Sequence, residues 1–391
     1  MNITTPRLII AECLAVAMVV LSGLSGCVTH TEEPVTKAVT LDEAGVARHI
    51  PSTVKDREGW SEDILGALIA IHKEPTPERV CSIIAVIQQE SGFEKNPAVA
   101  NLPEIVRQGL EKKFEKLGIL TGPAVAALLA GSAPGGHQTF GERIDKLKTE
   151  RDLDRLFRDL SLAYHESMPG TYAVASAMTV LMGKGALRDL NPVTTAGSMQ
   201  VKVSFAHSMP GNENLSDDDI REQLYTRAGG IRYGAARLIN YPARYDDIIY
   251  RFADYNAGIY TSRNAAFQVM LSQLTGIPLA LDGDILNYDS DGNPKSVESQ
   301  TMKALAAFAA SHSISSWTIN RDARKEKTED FEYTTSWKEV RVAWEKKTGG
   351  NAPYAQLPNV LLNSPKLKKS RSTSWFATAV KEHYESCRSR D

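Results

Sequence analysis

Apolar residues recur along this chain mostly three or four positions apart, and seldom in strict alternation. Ile64, Leu65, Leu68, Ile69 and His72 predict a helix over residues 61–71, with the folded part opening near Trp60. Thr76-Pro77-Glu78 reads as the next start, with a side-chain cap, a proline in the first turn and an acid at the positive helix end. That helix carries Val80, Ile83, Ile84 and Ile87, reaches Glu90 and stops at Gly92. The same periodicity predicts helices over 103–117, 123–129, 144–162 and 171–181, then 230–239, 245–256 and 300–311, with Ser216 capping another. Residues 189–201 begin with turn chemistry and end in a short apolar run. Beyond Asn320 the chain is polar, with Trp337, Trp344 and Trp375 among basic residues. The expected class is mainly α.

The first residues read as a targeting segment rather than as fold. Arg7 precedes an apolar run over residues 13–21, too short to span a bilayer comfortably, and Leu24-Ser25-Gly26-Cys27 follows. This resembles the bacterial lipoprotein signal. The resemblance implies removal of residues 1–26, lipidation of Cys27 and a membrane anchor there. Val28 in place of an aspartate leans toward the outer membrane, so the expected location is periplasm-facing. Residues 27–55 are polar and aperiodic and read as a tether. Of the remaining cysteines, Cys81 lies in an apolar helical stretch and reads as a small core residue. An oxidising compartment permits its pairing with Cys387, but the sequence does not establish it.

Composition adds little beyond a real core: 42% hydrophobic and 24% charged residues, with a net charge of −2. Nothing in that balance points to a nucleic-acid partner. Residues 321–391 hold 15 Lys or Arg against 10 Asp or Glu, which reads as a solvated basic tail or, functionally, as a contact for an anionic polymer or lipid surface.

Three short motifs carry the chemistry: Glu90-Ser91-Gly92-Phe93, Gly197-Ser198-Met199-Gln200-Val201 and Ala253-Asp254-Tyr255-Asn256-Ala257-Gly258. Each alone is weak, and Glu90 alone is most simply a solvated helix-end acid. In this order they resemble the motifs of bacterial lytic transglycosylases, which share the lysozyme-like fold with goose-type lysozymes. Residues 229–258 resemble that family's helix–turn–helix, with Gly234 small enough for close packing. The resemblance implies a lysozyme-like helical domain over 56–275, interrupted within 91–190 by a helical insertion, since 107 positions separate Glu90 from Gly197. It leaves 276–391 as a C-terminal extension, and the whole chain looks more like a lipoprotein family built on this fold than a standard transglycosylase.

Cleaving a β-1,4 glycosidic bond needs a proton on the leaving oxygen, and apolar surroundings or a helix C-terminus favour the protonated carboxyl. The resemblance makes Glu90 the acid and then the base toward the C6 hydroxyl of N-acetylmuramic acid, giving a 1,6-anhydro product without water. Ser91 would orient the site, and Gly197, Met199 and Gln200 would line the glycan groove. Tyr255 and Asn256 would sit near the Glu90 carboxyl. Asp254, where the family has a small residue, reads as solvated or locally paired, its alternative being a second carboxylate for hydrolysis. The expected partner is therefore the peptidoglycan glycan strand, with no cofactor and no metal. Non-catalytic binding of peptidoglycan and lysozyme-type hydrolysis stay as alternatives. Residues 287–298 approach a calcium-loop spacing, but Asn287 opens it and Lys295 adds a positive charge, so a polar turn is the simpler reading. His165-Glu166 does not extend into a zinc spacing, and no Gly-x-Ser-x-Gly elbow is present.

Overall fold

A computed structural model describes residues 39–116, 121–133, 135–166, 191–289, 292–362 and 371–390. The signal segment, Cys27 and the helix expected over 171–181 lie outside them. The described residues are mainly α-helical, with two short antiparallel ladders, β1 (Thr195–Ala196) with β2 (Val201–Lys202) and β3 (Leu361–Leu362) with β4 (Arg371–Ser372).

Helix boundaries follow capping chemistry. The helix α3 (Pro77–Ser91) begins where the Thr76 side chain accepts from the Arg79 N–H, with Pro77 in the first turn. It ends at Gly92, which is left-handed at φ 58°. Before it come α1 (Glu43–His49) and α2 (Arg57–Ala70). Every residue of α3 from Val80 to Ile87 is buried, so this helix is a core element rather than a surface one.

Three apolar clusters organise the described residues. The first gathers α1 to α3, β1, β2, the last helix of the chain and, between them, α8 (Val203–His207), α9 (Asp217–Leu224), α10 (Arg227–Ile239) and α11 (Ile249–Ala257). The second surrounds Phe267, Met270 and Leu271 of α12 (Thr261–Thr275), packed with α13 (Gln300–Ser311), α14 (Ser316–Ala323) and α15 (Thr335–Thr348). The third belongs to the stretch expected as an insertion. There α4 (Leu102–Lys116), α5 (Thr121–Ala130), α6 (Phe140–Asp145) and α7 (Glu150–Glu166) enclose Leu102, Leu128, Phe140, Ile144, Leu156 and Leu160. The helix expected over 144–162 is thus two. A turn after Asp145 separates them, and the Asp152 carboxylate accepts the Thr149 N–H at 2.9 Å at the start of the second.

Charged hydrogen bonds fasten this third cluster to the first. Asp154 of α7 is fully buried and accepts from Arg221 of α9 at 2.9 Å and from Asn191 at 2.6 Å. Glu222, also on α9, accepts from Arg151 and Arg158, each at 2.7 Å.

The ends of the chain depart from expectation. Helix α1 lies inside the stretch read as tether, and its Val46 and His49 are buried against the first core. Asp42 caps it by accepting the Gly45 N–H, a local signal too short to show as periodicity. The last helix, α16 (Thr373–Arg388), returns to the same core through Phe376, Ala377, Val380 and Cys387. Cys387 is bonded to Cys81 of α3 across a separation of 306 residues. Cys81 is therefore half of a buried disulfide instead of a free core thiol. The polar C-terminal sequence hides an element that completes the helix bearing Glu90.

Candidate functional site

The second and third motifs meet through one buried bond. Tyr255 is 4% exposed near the end of α11, and its hydroxyl donates to the Met199 carbonyl oxygen at 2.6 Å. Burial pushes the tyrosine pKa upward, keeping the donor protonated. Two glycines shape the loop around this bond. Gly197 has φ +80°, and a Cβ there would come within 2.2 Å of the Leu224 carbonyl oxygen. Gly234 lies under Met199, where a Cβ would come within 2.3 Å of Sδ and 2.7 Å of Cβ. The small residue expected at Gly234 thus accommodates a methionine side chain from the second motif. The close backbone approach at Gly197 is to protein.

Glu90 enters from α3. It is half-buried and interacts electrostatically with both Tyr255 and Arg237. Arg237 is nearly buried on α10, and its Nε donates to the Tyr255 carbonyl oxygen at 3.0 Å. Its guanidinium also lies over the Tyr255 ring at 5.6 Å. Burial lowers its pKa, while Tyr255, Asp254 and Glu90 act in the opposite sense. Acid, tyrosine and arginine come from three helices that share one core.

The remaining expected contact residues hold bonds within the protein. The Ser91 hydroxyl donates to the Ile87 carbonyl of its own helix at 3.0 Å. Gln200, at φ +49°, accepts from the Thr195 hydroxyl at 2.9 Å and donates to the Gly197 carbonyl at 3.3 Å, closing its own turn. Asn256 accepts from Thr373 at 3.3 Å, where α16 begins. Met199 is fully buried and packs as core. Among the expected groove residues Gln200, Ser91 and Asn256 stay half-buried, whereas Met199 and Tyr255 hold the loop in place.

Asp254 corrects the expectation of a solvated or locally paired acid. It is fully buried and accepts from the Tyr241 and Tyr245 hydroxyls at 3.0 and 2.6 Å, and from the Tyr260 and Ser262 N–H groups at 2.9 and 2.7 Å. Burial raises its pKa against the pull of these donors. Enclosed by four donors, it joins α11 to α12.

A cleft of about 1160 Å³ opens beside this cluster. Arg237, Ala257 and Gly258 from the motif-bearing helices line it, together with Lys202, Arg221, Asp284 and Lys327. The calcium-like stretch contributes Tyr288 and Asp289, but Asp291 lies outside the described residues. Asn287 donates to the Val297 carbonyl and Asp289 accepts the Asn293 N–H, which is turn chemistry. Among the described residues no cluster of three or more His, Cys, Asp or Glu is arranged to hold a metal. No described helix is long and apolar enough to cross a membrane.

A family model described as "Protein of unknown function (DUF1615)" matches residues 53–390. The chain belongs to that family. It is 38% identical over 369 residues to the "Uncharacterized protein YaiW" of Escherichia coli (strain K12), across 93% of this chain and 94% of that one. No solved structure matches the chain. The family match takes in the C-terminal helix as well as the motif-bearing helices, in keeping with their shared core and disulfide.

In this member of the family, motif reading named Glu90 and Tyr255 but not Arg237, which bonds the Tyr255 carbonyl, nor Lys202, which lines the cleft. Both were within reach of it. Arg237 sits three positions after Gly234 on the same helix, and Lys202 sits two positions after Gln200.

Proposed function

We propose that this chain is a peptidoglycan-directed lipoprotein that cleaves glycan strands, with Glu90 as acid and base and Cys27 as lipid anchor. The observation that carries the reading is the electrostatic interaction of Glu90 with Tyr255, whose hydroxyl bonds the Met199 carbonyl in the turn that holds Gln200. In the proposed step the Glu90 carboxyl protonates the GlcNAc O4 as the bond from MurNAc C1 to that oxygen breaks. The C6 hydroxyl of the same MurNAc attacks C1 and returns its proton to Glu90. The products are a free GlcNAc 4-hydroxyl and a 1,6-anhydro ring, and no water is consumed.

The enclosure of Asp254 favours this step over hydrolysis, because it occupies with internal donors the acid considered for a second carboxylate. The lysozyme-like helical arrangement, with α4–α7 as an insertion, belongs to the same proposal, as does a periplasm-facing site at the outer membrane. Internal bonding of Ser91, Gln200 and Asn256 favours a second reading, a non-catalytic peptidoglycan-binding module. Incubation with purified sacculi separates the two. Muropeptides released by the wild type but not by Glu90→Gln support cleavage, whereas co-sedimentation of both proteins with intact sacculi supports binding alone.

A further inference from the structure

The cleft beside the Glu90 site is lined by charges of both signs, and the acids are already engaged. Asp284 pairs with Lys327. Asp282 accepts from Gln268 at 2.7 Å and from the Asp284 N–H at 3.0 Å. Asp217 faces His207 at 3.7 Å, and Asp289 accepts the Asn293 N–H at 2.8 Å. Of the cations, Arg221 is held by the buried Asp154 and Lys327 by Asp284.

Lys202 differs from these. Among the described residues no carboxylate lies within ion-pair distance of its ammonium. It is exposed into the cleft at the end of β2, with the Arg237 and Lys327 charges as its electrostatic neighbours. Partial desolvation, and then those two charges, lower its pKa, with Asp284 acting in the opposite sense. An ammonium so placed gains most from an added anion. The cleft's volume lies above the usual range of small-ligand sites, which favours an extended ligand over a single ion.

We infer that this cleft receives carboxylates of the peptide stems carried by a glycan strand, with Lys202 as the contacting cation and Arg237 and Lys327 shaping the field around it. The inference rests on the peptidoglycan reading of the Glu90 site. It adds that the protein distinguishes peptide-bearing from bare glycan. Arg237 makes the connection, since it borders the cleft and interacts with Glu90.

Calorimetric titration of the full chain with three probes tests this: a disaccharide bearing a peptide stem, the bare disaccharide, and the stem with its carboxylates amidated on the same disaccharide. The stem-bearing probe should bind about tenfold tighter than the other two, as one charge-assisted contact in a partly enclosed site warrants. That preference should shrink at high salt and disappear in Lys202→Gln, an exposed substitution that leaves the core intact. Equal binding of acidic and amidated stems, or a preference that survives Lys202→Gln, overturns the inference. The free peptide stem separates this failure from failure of the glycan reading. If no disaccharide binds but the free stem binds wild type and not Lys202→Gln, the carboxylate site stands and the glycan reading falls. If the free stem also fails to bind, both fall.

Discussion

The Tyr255 hydroxyl and the Met199 carbonyl, 2.6 Å apart in a buried setting, tie the end of α11 to the turn that presents Gln200. Removing the hydroxyl strands a buried carbonyl, which costs about 1–3 kcal/mol. Tyr255→Phe should lower the melting temperature by several degrees without changing helix content. An unchanged melting temperature would show that the bond does not fix the loop.

Two glycines under the same turn should respond differently to an added methyl. Gly234→Ala drives a Cβ into the Met199 side chain, a crowding that costs roughly 1–3 kcal/mol. Shortening Met199 to Ala should recover part of that loss, so that the pair shows favourable coupling in a double-mutant cycle. Gly197→Ala meets the Leu224 backbone and adds left-handed strain, so Met199→Ala should not rescue it. Strictly additive effects at Gly234 and Met199 would contradict their packing.

Much of the helical fold was legible because its signals are local. Thr76-Pro77 and Gly92 bound α3, and Ser299 caps the helix over 300–311 by accepting the Met302 N–H at 2.9 Å. The illegible parts are those where partners are remote or burial runs against residue type. Helix α12 buries Ser262, Arg263, Asn264 and Gln268 and so lacks an amphipathic stripe. Arg263 is fully buried because distant carbonyls receive it, Glu326 at 2.7 Å and Thr328 at 2.9 Å, with Glu332 at 3.5 Å. Asp254 likewise looks like a surface acid until its four donors are assembled around it.

The bond between Cys81 and Cys387 should matter to stability more than to local packing. Closing so long a loop removes unfolded-state freedom, and losing it costs about 2–5 kcal/mol. Cys387→Ser, or reduction of the wild type, should lower the melting temperature to a similar extent. Alkylation of both cysteines in the unfolded, unreduced chain would contradict the pairing.

The clamp between α7 and α9 sets a pH dependence. Burial alone would push the Glu222 carboxyl up, but hydrogen bonds from Arg158 and Arg151, and their charges, hold it below the usual range. The stabilisation is therefore full above the ordinary carboxylate pKa and is lost as pH falls through the depressed value. Melting curves of wild type and Glu222→Gln should differ at neutral pH and converge as acid protonates Glu222. A gap that widens on acidification would reverse the sign.

The chemical state of newly formed glycan ends tests the central claim most directly. Sacculi treated with the wild-type chain should yield MurNAc ends one water lighter than reducing ends, and Glu90→Gln, if folded with an unchanged melting curve, should yield none. Reducing ends from the wild type, or anhydro ends from Glu90→Gln in equal amount, would contradict Glu90 as the acid and base of an intramolecular transfer.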